Sequence, residues 1–177
     1  MWNQPYFEAW APKVPAMLLE LLSHSNFADM RYGLDPRFRF TVSRAIYKGI
    51  LRFISSQYNE PYVVQPLPVD HMAIRFTGKE PNEIELTWKA VEDTLEPTAK
   101  AEEYIVYTRI GDGDFDNGTL VKEESYKTKI PSNVVCSFKV TAVNKGGESF
   151  PSEILSVGRS VSTASSYLNI EEPVLVV

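Results

Sequence analysis

After residue 68 the spacing of apolar residues changes from a period near 3.6 to a period of 2, and this switch limits the fold more tightly than any other feature of the chain. Short runs rich in β-branched and aromatic residues follow one another: His71 to Phe76, Glu83 to Ala90, Glu103 to Ile110, Thr119 to Val121, Ser125 to Ile130, Val135 to Val143 and Glu153 to Val157. Turn signals separate them at Thr77-Gly78, Asp112-Gly113, Asn117-Gly118, Pro131-Ser132-Asn133 and Lys145-Gly146-Gly147. Strands this short and this regularly punctuated predict an antiparallel β-sandwich of about 95 residues.

The segment before the switch reads differently. Residues 1–13 hold Trp2, Pro5, Tyr6, Phe7, Trp10 and Pro12 without a period and are expected to be irregular. Residues 14–20 form an apolar run that fits a buried strand, with Pro15 tolerated near its start, although a run this short also fits a buried helix turn. The run ends on one carboxylate, Glu20. A charge is costly inside such a strand, and in open α/β sheets functional groups gather at the strands' carboxyl ends, so Glu20 is a candidate catalytic residue.

Asp35 followed by Pro36 then supplies an N-cap and a proline at the first helical position. Phe38, Val42, Ala45, Ile46, Gly49, Ile50, Phe53 and Ile54 recur at three and four residues, which predicts an amphipathic helix of about 20 residues. Arg44, Lys48 and Arg52 fall on another face, read as solvated. A proline-punctuated stretch at 57–68 marks a domain boundary.

The expected fold class is therefore mostly β. A truncated α/β segment with one long helix (1–57) precedes a linker (58–65) and the sandwich (66–158), and residues 159–177 are a second linker and the start of a following domain.

With 18 basic and 23 acidic residues the net charge is -5, and no long basic run supplies the footprint of a nucleic-acid binder. No stretch approaches the roughly 20 apolar residues of a membrane span. Residues 1–12, with Glu8 and no basic start, do not make a secretory signal. Cys136 is the single cysteine, which excludes an intrachain disulfide.

Several polar groups admit a ligand reading and a plainer one. His24 and His71 have no partners at metal-ligand spacing, so each reads as an ordinary polar residue. Asp112 to Gly118 alternates carboxylates, with Glu123 at the twelfth place, as a calcium loop would. Its glycine falls at the seventh position instead of the sixth, and a hairpin turn at Asn117-Gly118 explains the pattern better. Tyr104, Tyr107, Tyr126 and Trp88 suggest a sugar-stacking face only weakly, because strands are rich in such residues.

Two resemblances add to this. Ile84-Glu-Leu-Thr-Trp88, Tyr104-Ile-Val-Tyr107, Phe138-Lys-Val-Thr-Ala-Val-Asn144, Gly146-Gly-Glu-Ser149 and Pro151-Ser-Glu153 together resemble a fibronectin type III domain, an immunoglobulin-like sandwich. Cys136 stands where that pattern has a tyrosine.

Val14-Pro-Ala-Met-Leu-Leu-Glu20, then Ser25-Asn26 and the helix from Asp35, are similar to the last part of the zinc-dependent N-acetylmuramoyl-L-alanine amidases. Leu21-Leu22-Ser23 departs from the usual Thr-Gly-Phe. That resemblance implies that Glu20 is the general acid/base beside a zinc-bound water, with no cofactor in this segment and zinc in a longer parent protein. It implies a peptidoglycan or other cell-envelope glycan as substrate, reached alongside neighbouring domains of the same chain, and an extracellular or periplasmic location. The combination also resembles segments of large exported Bacteroidetes proteins labelled xanthan lyases. The alternative expectation is therefore a non-catalytic adhesion or interaction module of a polysaccharide-active protein.

Overall fold

The computed structural model describes residues 6–158 and 174–176, and the chain divides into two compact units, 1–53 and 54–177.

In the first unit, a single helical turn, α1 (Phe7–Trp10), precedes α2 (Phe27–Leu34) and the long α3 (Pro36–Tyr58), which continues past residue 53. The start of α3 follows from Asp35. Its carboxylate accepts from the Arg37 N–H at 2.9 Å and its carbonyl from the Arg39 N–H at 3.1 Å. The helix runs for 23 residues, in keeping with the apolar period.

α2 was not anticipated. Its cap is Asn26, whose side-chain oxygen accepts from the N–H groups of Ala28 at 2.9 Å and Asp29 at 3.4 Å. The Asp29 carboxylate in turn accepts from the Ser23 N–H at 3.0 Å. A capping residue followed three positions later by a carboxylate is the sequence signature of a helix start, so the signal was present.

Residues 14–22 correct one expectation. They form no strand and pair with none among the described residues. The run is not buried either, with Met17 68% and Leu18 44% exposed. An isolated strand has no ladder to satisfy its N–H and C=O groups, so the backbone turns to solvent. The described part of this unit is thus helical and irregular, without the strand of an α/β segment.

The second unit is the expected sandwich. β1 (Asp70–Phe76), β2 (Glu83–Lys89) and β5 (Ser125–Lys129) form one antiparallel sheet in the order β1-β2-β5. The other sheet has the order β4-β3-β6-β8-β9, from β3 (Glu103–Ile110), β4 (Thr119–Val121), β6 (Cys136–Asn144), β8 (Leu155–Gly158) and β9 (Val174–Val176). A two-residue β7 (Gly147–Glu148) pairs back on β6. The chain changes sheets between β2 and β3, between β4 and β5 and between β5 and β6, so the two layers cannot separate as independent hairpins. This is the arrangement that the resemblance to fibronectin type III domains implies.

Period-2 alternation sets the core. Ile84, Leu86 and Trp88 project inward from β2, and Cys136, Phe138, Val140 and Ala142 from β6, all at most 1% exposed. Each large side chain buried this way contributes about 1.5–3 kcal/mol. The register Val106↔Val140 and Tyr104↔Ala142 brings the inward residues of β3 into the same layer. His71 lies at an irregularity between Asp70 and Ala73, with a φ of 53°.

Residues 62–66, read from the sequence as part of a connection, pack against this sandwich. Val64 and Pro66 are fully buried. Gly146 makes room for them, because a Cβ there would lie 2.5 Å from the Val63 carbonyl oxygen. The second linker expected around 159–169 lies outside the described residues. Part of the expected following domain, residues 174–176, is β9, paired antiparallel with β8 through Ser156↔Val176.

Candidate functional site

Glu20 lies at the end of the apolar run and is exposed. His24 follows in an exposed turn whose neighbours Ser23 and Ser25 join hydroxyls at 3.0 Å. His71 is exposed on β1, its ring nitrogen 3.5 Å from the Asp70 carboxylate. Among the described residues no group of three His, Cys, Asp or Glu side chains is arranged to hold a metal.

The acidic loop between β3 and β4 is occupied with its own geometry. The Asp116 carboxylate accepts from the Thr108 and Gly118 N–H groups, both at 3.0 Å, and the Asp116 N–H donates to the Thr108 carbonyl at 2.9 Å. Gly118 has a φ of 79°, and a Cβ on it would come within 2.3 Å of Ile105. The carboxylate and the glycine therefore shape the hairpin.

That hairpin sets Phe115 over the outer face of the larger sheet. The Arg109 guanidinium carbon is 5.1 Å and the Lys139 ammonium 4.4 Å from the centre of the Phe115 ring, and Lys139 also lies 5.0 Å over Tyr107. Cations over aromatic faces at this range attract the ring's negative quadrupole. Arg109 donates to the Ser137 hydroxyl at 3.2 Å, and the Tyr107 hydroxyl donates to Glu148 at 2.7 Å. The bond to Glu148 pushes the Tyr107 phenol up to about 12. These groups are scattered along the sequence. Their shared outward parity on β3 and β6, with Tyr107↔Lys139 and Arg109↔Ser137 in register, is the signal that joins them.

The tyrosines do not form one sugar-stacking face. Tyr104 points into the core, where its ring meets Trp88 edge-on at 5.5 Å, whereas Tyr107 points out of the same strand. Tyr126 belongs to the other sheet.

A cleft of about 490 Å³ opens at one end of the sandwich, lined in part by Glu92, Asp93, Glu96, Lys100, Tyr104 and Glu124. Glu124 is its best-held group. It accepts from the Ala90 N–H at 3.0 Å, from Lys89 at 3.3 Å and from the Tyr104 hydroxyl at 3.3 Å, and the backbone bond from Ala90 above all keeps its carboxyl below the usual range. Glu96, 6% exposed, is bonded by Tyr62 at 2.8 Å and Thr98 at 2.9 Å. Both carboxylates thus tie loops to the sandwich.

No family model and no curated protein matches the chain. Solved structures similar to it include titin kinase with its flanking domains, at 23% identity and a TM-score of 0.42 over 52% of this chain and 16% of that one. The FN3tt mut structure is similar at 18% identity and a TM-score of 0.45, covering 54% of this chain and 98% of that one. Domains d3–d4 of the rat CD45 extracellular region are similar at 17% identity and a TM-score of 0.44, covering 53% and 49%.

Proposed function

We propose that the chain is a non-catalytic spacing and binding module of an exported cell-envelope protein. The observation that carries this reading is the contrast between a sandwich that closes its own core and a candidate carboxylate, Glu20, that stands exposed on backbone in no helix or strand. A general acid/base needs a fixed position within hydrogen-bond reach of the reacting group, and a solvated carboxylate on unpaired backbone has none. A domain that closes its own core can separate its neighbours without contributing chemistry of its own.

A second reading is favoured by the exposed apolar run that ends on Glu20. Covered by parallel strands, it would become the buried strand of a zinc amidase-like sheet, with Glu20 relaying a proton from the zinc-bound water to the leaving amide nitrogen of peptidoglycan. Zinc content and muropeptide release by the longer parent protein, compared with its Glu20→Ala variant, separate the two. Spacing without catalysis predicts no difference between them. Zinc-dependent release lost in the variant selects the amidase.

A further inference from the structure

Several cations of the sandwich are matched by a carboxylate: Arg75 and Lys127 by Glu85, Lys129 by Glu80 and Lys89 by Glu124. Arg109 and Lys139 are not. Both are half-buried on the outer face of the larger sheet, and their partners are the Phe115 and Tyr107 rings and, for Arg109, the Ser137 hydroxyl. The Arg109 Nε–H is buried and meets no acceptor. Buried donors are nearly always satisfied, so an empty one calls for an acceptor from outside the chain.

The nearby carboxylates are committed elsewhere. Glu148 accepts from the Tyr107 and Thr141 hydroxyls, both at 2.7 Å, and Asp116 from the Thr108 and Gly118 N–H groups, both at 3.0 Å. Asp112 and Asp114, exposed on the same loop, form an ion pair with neither cation. Two cations facing one ring repel each other, a cost that anions beside them remove.

Sheet geometry says which anion fits. Arg109 pairs with Ser137 and Lys139 stands two residues further along β6, so the cations are diagonal neighbours on one face, about 7–8 Å apart at their backbones. Alternate side chains of an extended peptide leave its backbone about 6.6 Å apart. The geometry points to Arg109 and Lys139 as a site for an acidic peptide in extended conformation, whose carboxylates two positions apart each meet one cation. A phosphate or a sugar acid supplies one anion where two cations stand, and the faces of Tyr107 and Phe115 turned toward the cations are closed to a stacking sugar. The site lies within the sandwich, so it stands whether or not Glu20 acts in catalysis.

Nuclear magnetic resonance titration of the full chain with a capped hexapeptide of alternating serine and glutamate tests this. The amides of Arg109, Phe115 and Lys139 should shift saturably, with binding about tenfold tighter than to the glutamine version of the peptide, and about 0.5 M salt should remove the difference. Arg109→Gln and Lys139→Gln should each weaken binding about tenfold. Lys139→Gln, which breaks no hydrogen bond of the fold, should keep the circular dichroism spectrum and so decides the matter even where Arg109→Gln, losing its bond to Ser137, fails to fold. Equal binding of the glutamine peptide, undiminished binding by Lys139→Gln, or a response to inorganic phosphate or glucuronate as strong as to the glutamate peptide overturns the proposal. So does a chain that ignores the peptide and instead forms a dimer broken by Lys139→Gln, which would make a second copy the occupant.

Discussion

The Asn144 side-chain nitrogen donates to the Val64 carbonyl at 2.9 Å, joining the last residue of β6 to a segment 80 positions earlier. The same nitrogen lies 3.0 Å from the Thr98 carbonyl and 3.1 Å from that of Lys100, and the Asn144 side-chain oxygen accepts from the Gly146 N–H at 2.8 Å. One buried amide thus closes one end of the sandwich. Asn144→Ala leaves buried carbonyls unsatisfied and should cost about 1–3 kcal/mol, read as a lower urea midpoint with an unchanged slope.

Gly146 permits that closure by its missing side chain. An added Cβ would meet the Val63 carbonyl oxygen at 2.5 Å and the Val64 carbonyl carbon at 2.7 Å, both backbone atoms that cannot rotate away. Gly146→Ala should push residues 62–66 off the sandwich at a cost of about 1–3 kcal/mol. Faster amide exchange at Val64, whose N–H donates to the Thr98 hydroxyl, is the expected local readout.

Burial, reinforced by the Glu124 carboxylate, pushes the Tyr104 phenol up to about 12. Because the folded state holds this proton more tightly than the unfolded chain, the contribution to stability is complete below pH 10 and is lost as the pH rises toward 12. Glu124 behaves oppositely: its lowered carboxyl contributes above the ordinary carboxylate range, and the contribution is lost as the pH falls through its folded value. Ultraviolet titration should show two late tyrosinates, Tyr104 and Tyr107, of which only the first moves toward the ordinary value in Glu124→Gln.

Cys136 is 1% exposed at the start of β6, and burial raises its thiol above the ordinary value. The thiolate is the reactive form, so alkylation in native conditions should be slow and should accelerate on unfolding. Mass-spectrometric counting of modified chains against urea concentration checks this. Rapid modification of the native chain would contradict the closed core.

The sandwich was legible in the sequence because its strands alternate strictly. The runs from Glu83 and Glu103 begin and end within a residue or so of β2 and β3, and Trp88 is in the core. α3 was legible for the same reason, from Asp35-Pro36 and the period that follows. The run at 14–20 was misread because apolar character specifies a strand only where other strands complete it, and pairing is not a local property. The cluster of Arg109, Phe115 and Lys139 was not found because sheet register, not sequence distance, brings it together. Residues 62–66 read as a connection because their burial depends on one glycine and one asparagine some 80 positions away.

Amide hydrogen exchange on the full chain tests most directly whether a self-sufficient sandwich is joined to a first unit that needs external cover. Slow exchange is expected for Leu86, Val106 and Val140 in the central strands, and fast exchange for residues 14–22 and for α2, where no residue is buried. Equal protection of both units in a strictly monomeric sample would contradict this division.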